Sequence, residues 1–168
     1  HYEAWLEKQS AVDPEIAVTS TDYFIIRHTG GTTGPSKGVA YTHKAWLAAG
    51  RDWFYTFPPV EPADKCLHLG PISHGSGYQY LPVWLAGVCN VMVDHFETGE
   101  TLDLMEREQI NFCFMVPTMV NAVVHDEEAR SRDYSALKCL LVAAAPIQDA
   151  TALAARTVFG NALYQGYG

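Results

Sequence analysis

Thr29-Gly30-Gly31-Thr32-Thr33-Gly34-Pro35-Ser36-Lys37-Gly38-Val39-Ala40-Tyr41 is the stretch that decides the fold, because the residues after its glycines matter as much as the glycines do. Glycine lets a backbone turn tightly and approach a ligand closely. Successive N–H groups in such a turn form a concavity that takes anions. The threonine hydroxyls add donors, and Lys37 adds a mobile positive charge. This set implies a phosphate-binding loop, with Thr29, Gly30, Gly31, Thr32, Thr33, Gly34 and Lys37 as its contacts. A plain glycine-rich hairpin between strands at Phe24 and Val39 is the competing explanation. The threonines packed among the glycines, and the Lys37-Gly38 after them, weigh against it.

The exit from the loop removes two fold classes. A Walker loop needs glycine directly before its lysine and a helix directly after. Here Ser36 precedes Lys37, and Val39-Ala40-Tyr41 prefers a strand. The dinucleotide fingerprint fails as well, because Gly75-x-Gly77-x-x-Tyr80 lacks its third glycine.

Outward from the loop, Tyr23–Arg27 and Gly38–Thr42 read as strands. Thr42 is placed as the N-cap of a helix from His43 to Phe54, ended by Pro58-Pro59. The chain then alternates: strand Cys66–Leu69, helix Gly77–Leu85, strand Val88–Val93, helix Gly99–Gln109, strand Phe112–Val116. Helix Thr118–His125, begun by Pro117, strand Leu137–Val142, helix Asp149–Val158 capped by Asp149, and strand Ala162–Tyr164 complete the run. The strands are unbroken apolar segments, as strands covered on both faces are. Such alternation implies an α/β fold with a mostly parallel sheet and crossover helices. Residues 1–20 are expected to be an N-terminal helix, near Glu3–Gln9, and a linker. Residues 21–168 are expected to be the α/β core, carrying the phosphate loop at 29–38. The charged segment Asp126–Tyr134 is expected to be a solvated loop, and Glu106-Arg107-Glu108 a solvated helix face.

Composition limits the partners. The 168 residues are 48% hydrophobic and carry a formal net charge of −8, which speaks against general nucleic-acid binding. No apolar run is long enough to cross a bilayer, and no signal peptide is expected, so a cytoplasmic protein is the expectation. Cys66, Cys89, Cys113 and Cys139 form no C-x-x-C pair. Their spacings of 23, 24 and 26 residues, taken from the numbering, match one strand–helix unit; reduced buried thiols are expected. Trp46, Trp53, Phe54, Tyr78, Tyr80 and Trp84 are expected in the core, some of them walling a pocket. His43 is read either as a support for the loop or as helix N-terminal packing. His28, His68, His95 and His125 show no ligand spacing, and no metal site is expected. Ser73 and Ser76 beside His74 hint at a nucleophile–base pair, but no Gly-x-Ser-x-Gly elbow is present.

Thr29–Val39 resembles the signature loop of the adenylate-forming enzymes: acyl-CoA and aryl-CoA synthetases, luciferases and peptide-synthetase adenylation domains. Gly30 stands where that loop commonly has serine, and Pro35-Ser36 where it has x-Pro. Five further segments match in order: Thr42-His43, Pro71–Gly77, Val116-Pro117-Thr118, Ala143–Ile147 (for Gly-Gly-Ala-Pro-Leu) and Gln165-Gly166-Tyr167-Gly168.

The resemblance implies a central fragment of the layered N-terminal domain, a single partial domain over 1–168 without the small C-terminal domain. It implies His74 at the acyl pocket, and Ala144, Ala145, Pro146, Gly166, Tyr167 and Gly168 on the adenine side. The implied activity is that of an ATP-dependent carboxylate–CoA ligase using ATP, Mg2+ and coenzyme A. Its place would be in fatty-acid metabolism, the carboxylic acid itself (fatty, aromatic or other) is not readable, and a homo-oligomer is left open. The resemblance also implies that these residues alone are inactive, since the family's Thr-Glu, ribose aspartate and C-terminal lysine would lie beyond Gly168. The alternative is a stand-alone nucleotide-binding or interaction module derived from the same fold.

Overall fold

A computed structural model of the chain describes residues 1–30 and 34–167. The chain divides into two compact units, His1–Leu47 and Ala48–Gly168.

In the first unit, helix α1 (Tyr2–Leu6) is shorter than expected and is followed by an irregular segment. Strands β1 (Tyr23–His28) and β2 (Gly38–Thr42) then pair antiparallel, from Tyr23 opposite Thr42 to His28 opposite Gly38. Helix α2 (His43–Thr56) begins directly after β2. The Thr42 hydroxyl accepts the Ala45 N–H at 3.2 Å, so the expected cap is present. Trp46 is the buried centre of this unit: Phe24 lies 5.8 Å and Tyr41 5.6 Å from its ring, and the Arg27 guanidinium stands 5.0 Å over it.

The second unit is a five-stranded parallel sheet in the order β4-β3-β5-β6-β7. Its strands are β3 (Lys65–His68), β4 (Cys89–Met92), β5 (Phe112–Met115), β6 (Cys139–Val142) and β7 (Leu163–Gln165). Helices α3 (Gly77–Leu85), α4 (Thr98–Arg107), α5 (Pro117–Val124) and α6 (Asp149–Phe159) connect them. Side chains alternate across the sheet with the period of two that strands impose. Leu67, Cys113, Met115, Leu140 and Val142 pack with residues of α4, α5 and α6. Cys66, Phe112, Cys139 and Leu141 pack on the other face with Trp53, Val83 and Val88. Both faces are covered, which explains the continuous apolar runs of the sequence.

Local chemistry sets the boundaries. Pro117 occupies the first turn of α5, where its missing N–H costs nothing, and Val116 before it is extended (ψ 157°), as a residue preceding proline must be. Helix α4 starts one residue earlier than expected. Glu97 caps it, its carboxylate accepting from the Gly99 and Glu100 amides at 3.1 and 2.7 Å. Those bonds hold the Glu97 carboxyl below the usual range, Glu100 first. Asp149 is not the cap of α6; it is the first helical residue, and Gln148 is the N-cap without a side-chain bond.

Two stretches expected to be solvated are tied down. Arg132 pairs with Asp103, Glu106 and Glu128 and is 19% exposed, so the 126–134 segment is pinned onto α4. Glu106 also accepts from the Asp133 amide, and Glu108 accepts from Lys65 at 3.0 Å. The expected core aromatics are corrected too. Trp46 and Trp53 are buried, Tyr80 is half-buried, and Phe54, Tyr78 and Trp84 are exposed. Cys89, on the edge strand β4, is exposed, whereas the other three thiols are buried.

Candidate active site

The expected phosphate loop connects β1 to β2, the antiparallel pair of the competing hairpin explanation. Of its expected contacts, Thr29, Gly30, Gly34 and Lys37 are described; Gly31, Thr32 and Thr33 lie outside the described residues, as does Gly168. The mouth of the loop is closed by three bonds between Thr29 and the Ser36-Lys37 pair. The Thr29 amide donates to the Lys37 carbonyl at 2.9 Å, continuing the strand ladder by one residue. The Lys37 amide donates to the Thr29 hydroxyl at 3.1 Å, and the Ser36 hydroxyl donates to the Thr29 carbonyl at 2.5 Å. The Thr29 and Lys37 amides are therefore spent on the loop itself, and any anion must use other donors. Lys37 is exposed. His43 belongs to helix packing: its amide donates to the Asp22 carbonyl at 3.1 Å, and its ring lies 5.1 Å from Phe24.

In the second unit, the remaining expected residues all fall at the carboxyl ends of parallel strands. His74 lies in the connection from β3 to α3, Val116-Pro117 between β5 and α5, Ala144–Pro146 between β6 and α6, and Gly166-Tyr167 just after β7. Strand order reverses at β3, which has β4 on one side and β5 on the other. In open α/β sheets the crevice outside the carboxyl ends at such a reversal is where ligands bind.

The His74 connection is a series of turns. The His74 amide donates to the Pro71 carbonyl, and the Gly77 amide to the His74 carbonyl, each at 3.0 Å. His74 is exposed and Ser76 buried. Gly75 lies against β5: a Cβ there would stand 2.9 Å from Cε1 of Phe114. Ala144 has φ +76°, the left-handed region that disfavours side chains. The structure thus separates the two alanines that replace glycine in the resembling motif, since Ala143 carries no such strain. Gly166 donates its amide to the Val142 carbonyl at 2.9 Å, and a Cβ on it would meet Leu141 at 3.2 Å. The Tyr167 side chain is fully exposed.

Three features escaped the sequence reading. Ser36 reads as a variant of an x-Pro position, with nothing to announce a cross-loop bond. Asn111 ties the amino ends of three strands: its Oδ1 accepts from the Lys65 amide at 2.8 Å and its Nδ2 donates to the Ala136 carbonyl at 3.0 Å. A polar residue immediately before an apolar strand was the only signal. His68 is buried on β3 with Nε2 2.5 Å from Asn90 Oδ1, and burial pushes its pKa down while Asn90 opposes the shift. An open cleft of about 530 Å3 lies along β4 and α3, lined by Asp64, Tyr80, Trp84, Asn90 and Met92 among others; two of the expected pocket aromatics border it, and His74 and the expected phosphate and adenine residues do not. Among the described residues no three His, Cys, Asp or Glu side chains gather as a metal-holding group. No described helix is long and apolar enough to cross a membrane.

Comparison with known proteins places these features in a family. The sequence profile described as AMP-binding enzyme matches residues 2–168. Feruloyl-CoA synthase of an Amycolatopsis species is 32% identical over 162 residues, covering 92% of this chain and 32% of that protein. The long-chain-fatty-acid–CoA ligase of Bacillus subtilis is 28% identical, over 94% of this chain and 28% of the ligase. The chain thus spans about a third of the length of such relatives. ATP-bound MatB from Rhodopseudomonas palustris superposes with a TM-score of 0.82 at 23% identity, over 99% of this chain and 33% of MatB. The N-terminal domain of FACL13 from Mycobacterium tuberculosis superposes at 0.81 and 22% identity, over 99% and 42%. At those identities the structural likeness speaks for the fold.

Proposed function

The chain belongs to the AMP-binding enzyme family, and on that premise we propose that the protein carrying it is an ATP-dependent carboxylate–CoA ligase. The observation that supports this reading best is the convergence in the second unit. Four segments that resemble the family's motifs stand at the carboxyl ends of adjacent parallel strands. The synthase and ligase relatives, each acting through CoA by name, support the acceptor.

In the proposed reaction a carboxylate oxygen attacks the α-phosphorus of Mg-ATP. The bond to the β-phosphate oxygen breaks, giving acyl-AMP and pyrophosphate. The thiolate of coenzyme A then attacks the acyl carbon, and AMP leaves. Carboxylate and triphosphate repel each other, so catalysis is positioning and charge stabilisation above all. Lys37 and the loop amides that remain are assigned the phosphates. His74 is assigned the edge of the carboxylate pocket. Ala144, Ala145, Pro146, Gly166, Tyr167 and Gly168 are assigned the adenine. Magnesium is counted with its ATP as substrate. We infer further that residues 1–168 do not turn over by themselves and that the enzyme is cytoplasmic.

The test is product identity. Full-length protein given ATP, coenzyme A and a panel of fatty and aromatic acids is expected to yield AMP and an acyl-CoA. ADP in place of AMP would rule the reaction out. Turnover by residues 1–168 alone would rule out the inactivity of the fragment.

A further inference from the structure

We propose that Ser36 is a positioning residue for Lys37, an inference that rests on the phosphate-loop reading. Three bonds converge on Thr29 from two consecutive residues. Its carbonyl accepts from the Ser36 hydroxyl at 2.5 Å, its hydroxyl accepts from the Lys37 amide at 3.1 Å, and its amide donates to the Lys37 carbonyl at 2.9 Å. Both backbone polar groups of Lys37 are thereby fixed to one residue across the loop. The next residue is fixed from the other side, since Gly38 pairs with His28 in the β1–β2 ladder. Lys37 leaves the backbone between two immobilised points, and its ammonium starts from a defined origin.

Two of the three bonds use a side chain, and the Ser36 bond is the one that holds the residue before Lys37 rather than Lys37 itself. The loops that this one resembles carry proline at the same place. A proline ring fixes φ but has no donor, so it stiffens the loop without crossing it. Ser36 stiffens by crossing. Without its hydroxyl the two backbone-directed bonds of Lys37 remain, but the residue before Lys37 is released and the origin of the lysine side chain widens. A phosphate-binding lysine acts as a point charge on a flexible stem, so the loss falls on ATP and not on the other substrate.

The experiment measures carboxylate-dependent ATP–pyrophosphate exchange by full-length wild type, Lys37→Ala, Ser36→Ala and Ser36→Thr, with thermal melts of each. Ser36→Ala is expected to raise the KM for ATP about five-fold, the weight of one net hydrogen bond. The KM for the carboxylate and the Tm stay at wild-type values, and Ser36→Thr, which keeps the hydroxyl, returns the KM for ATP toward wild type. If Lys37→Ala is impaired while Ser36→Ala behaves as wild type, the positioning role is overturned and the phosphate loop stands. If Lys37→Ala behaves as wild type, or no carboxylate supports exchange, the phosphate-loop reading falls and the role of Ser36 with it. Equal impairment of Ser36→Ala and Ser36→Thr with a lowered Tm means bulk packing and also overturns the proposal.

Discussion

Gly75 packs so closely on Phe114 that a Cβ at position 75 would stand 2.9 Å from Cε1 and 3.1 Å from Cζ of the ring. The connection carrying His74 is therefore seated on β5 at the strand-order reversal, and its height above the sheet is set by one glycine. Gly75→Ala forces the ring or the connection to move, at about 1–3 kcal/mol of stability. Phe114→Leu in the same chain makes room and recovers part of that loss, a coupling of about 0.5–3 kcal/mol in a double-mutant cycle. Urea unfolding of the four variants checks it; simple additivity would show that the two residues do not bear on each other.

Ala144 holds φ +76°. A side chain in the left-handed region costs about 1–2 kcal/mol, while glycine gives back about 0.4–1 kcal/mol through the freedom of the unfolded chain. Ala144→Gly is accordingly expected to stabilise the protein by between about 0 and about 1.6 kcal/mol, the difference between those terms. Because Ala144 is exposed and is itself assigned to the adenine side, where losing its methyl group makes room, the same variant is expected to leave the KM for ATP unchanged or lower it. Lower stability together with a raised KM would contradict this assignment.

Asn111 joins the starts of β3, β5 and β6. Besides its side-chain bonds, its amide donates to the Lys65 carbonyl, and its carbonyl accepts from the Lys138 and Cys139 amides. Asn111→Ala removes two side-chain bonds and leaves their half-buried partners unmatched, at a cost of about 2–4 kcal/mol. Asn111→Asp keeps the acceptor for Lys65 and loses only the donor, so it is expected to fall between wild type and Asn111→Ala in thermal unfolding.

Thiol chemistry reports the cysteine correction directly. Burial pushes the Cys66, Cys113 and Cys139 thiols up, Cys139 to about 12, whereas Cys89 is exposed. A native titration with a thiol reagent is expected to find one fast cysteine, and Cys89→Ser to remove it. Proton binding sets the sign for stability. Unfolded thiols lose their protons near about 8.5, while the folded ones keep them, so the unfolded state is favoured as pH rises above that value. Stability is expected to fall by up to about 1.4 kcal/mol per pH unit for each buried thiol. His68 works at the other end: with its folded pKa depressed, stability is expected to fall as pH drops below about 6.5, the ordinary histidine value.

Much of this was legible in the residues. Unbroken apolar strands such as Phe112–Met115 can only be buried on both faces, and their alternation with helices leaves few topologies besides a parallel sheet. Pro117 and Thr42 mark helix starts by mechanisms that act within one turn. The contacts that were missed are long-range. Arg132 meets Asp103 and Glu106 from more than two dozen residues away, and Asn111 meets Lys65 across 46 positions. Charge patterning within a segment is blind to both. Trp84 and Cys89 are exposed because both belong to the β4 side of the sheet, its edge, and a local apolar pattern does not say which strand stands at an edge. The residues assigned to the site were picked out by resemblance to the family's motifs, and those of the second unit lie after strand ends. The clamp on Lys37 was not, because a serine hydroxyl bonding a carbonyl seven residues away leaves no periodic trace.

ATP–pyrophosphate exchange by the full-length protein tests the central claim most directly. Exchange that requires an added carboxylate, and that falls by an order of magnitude or more, about the worth of a charge-assisted phosphate contact, in Lys37→Ala, is the predicted result. Exchange indifferent to carboxylate, or untouched by Lys37→Ala, would contradict the assignment of Thr29–Lys37 as the phosphate loop of an adenylate-forming enzyme.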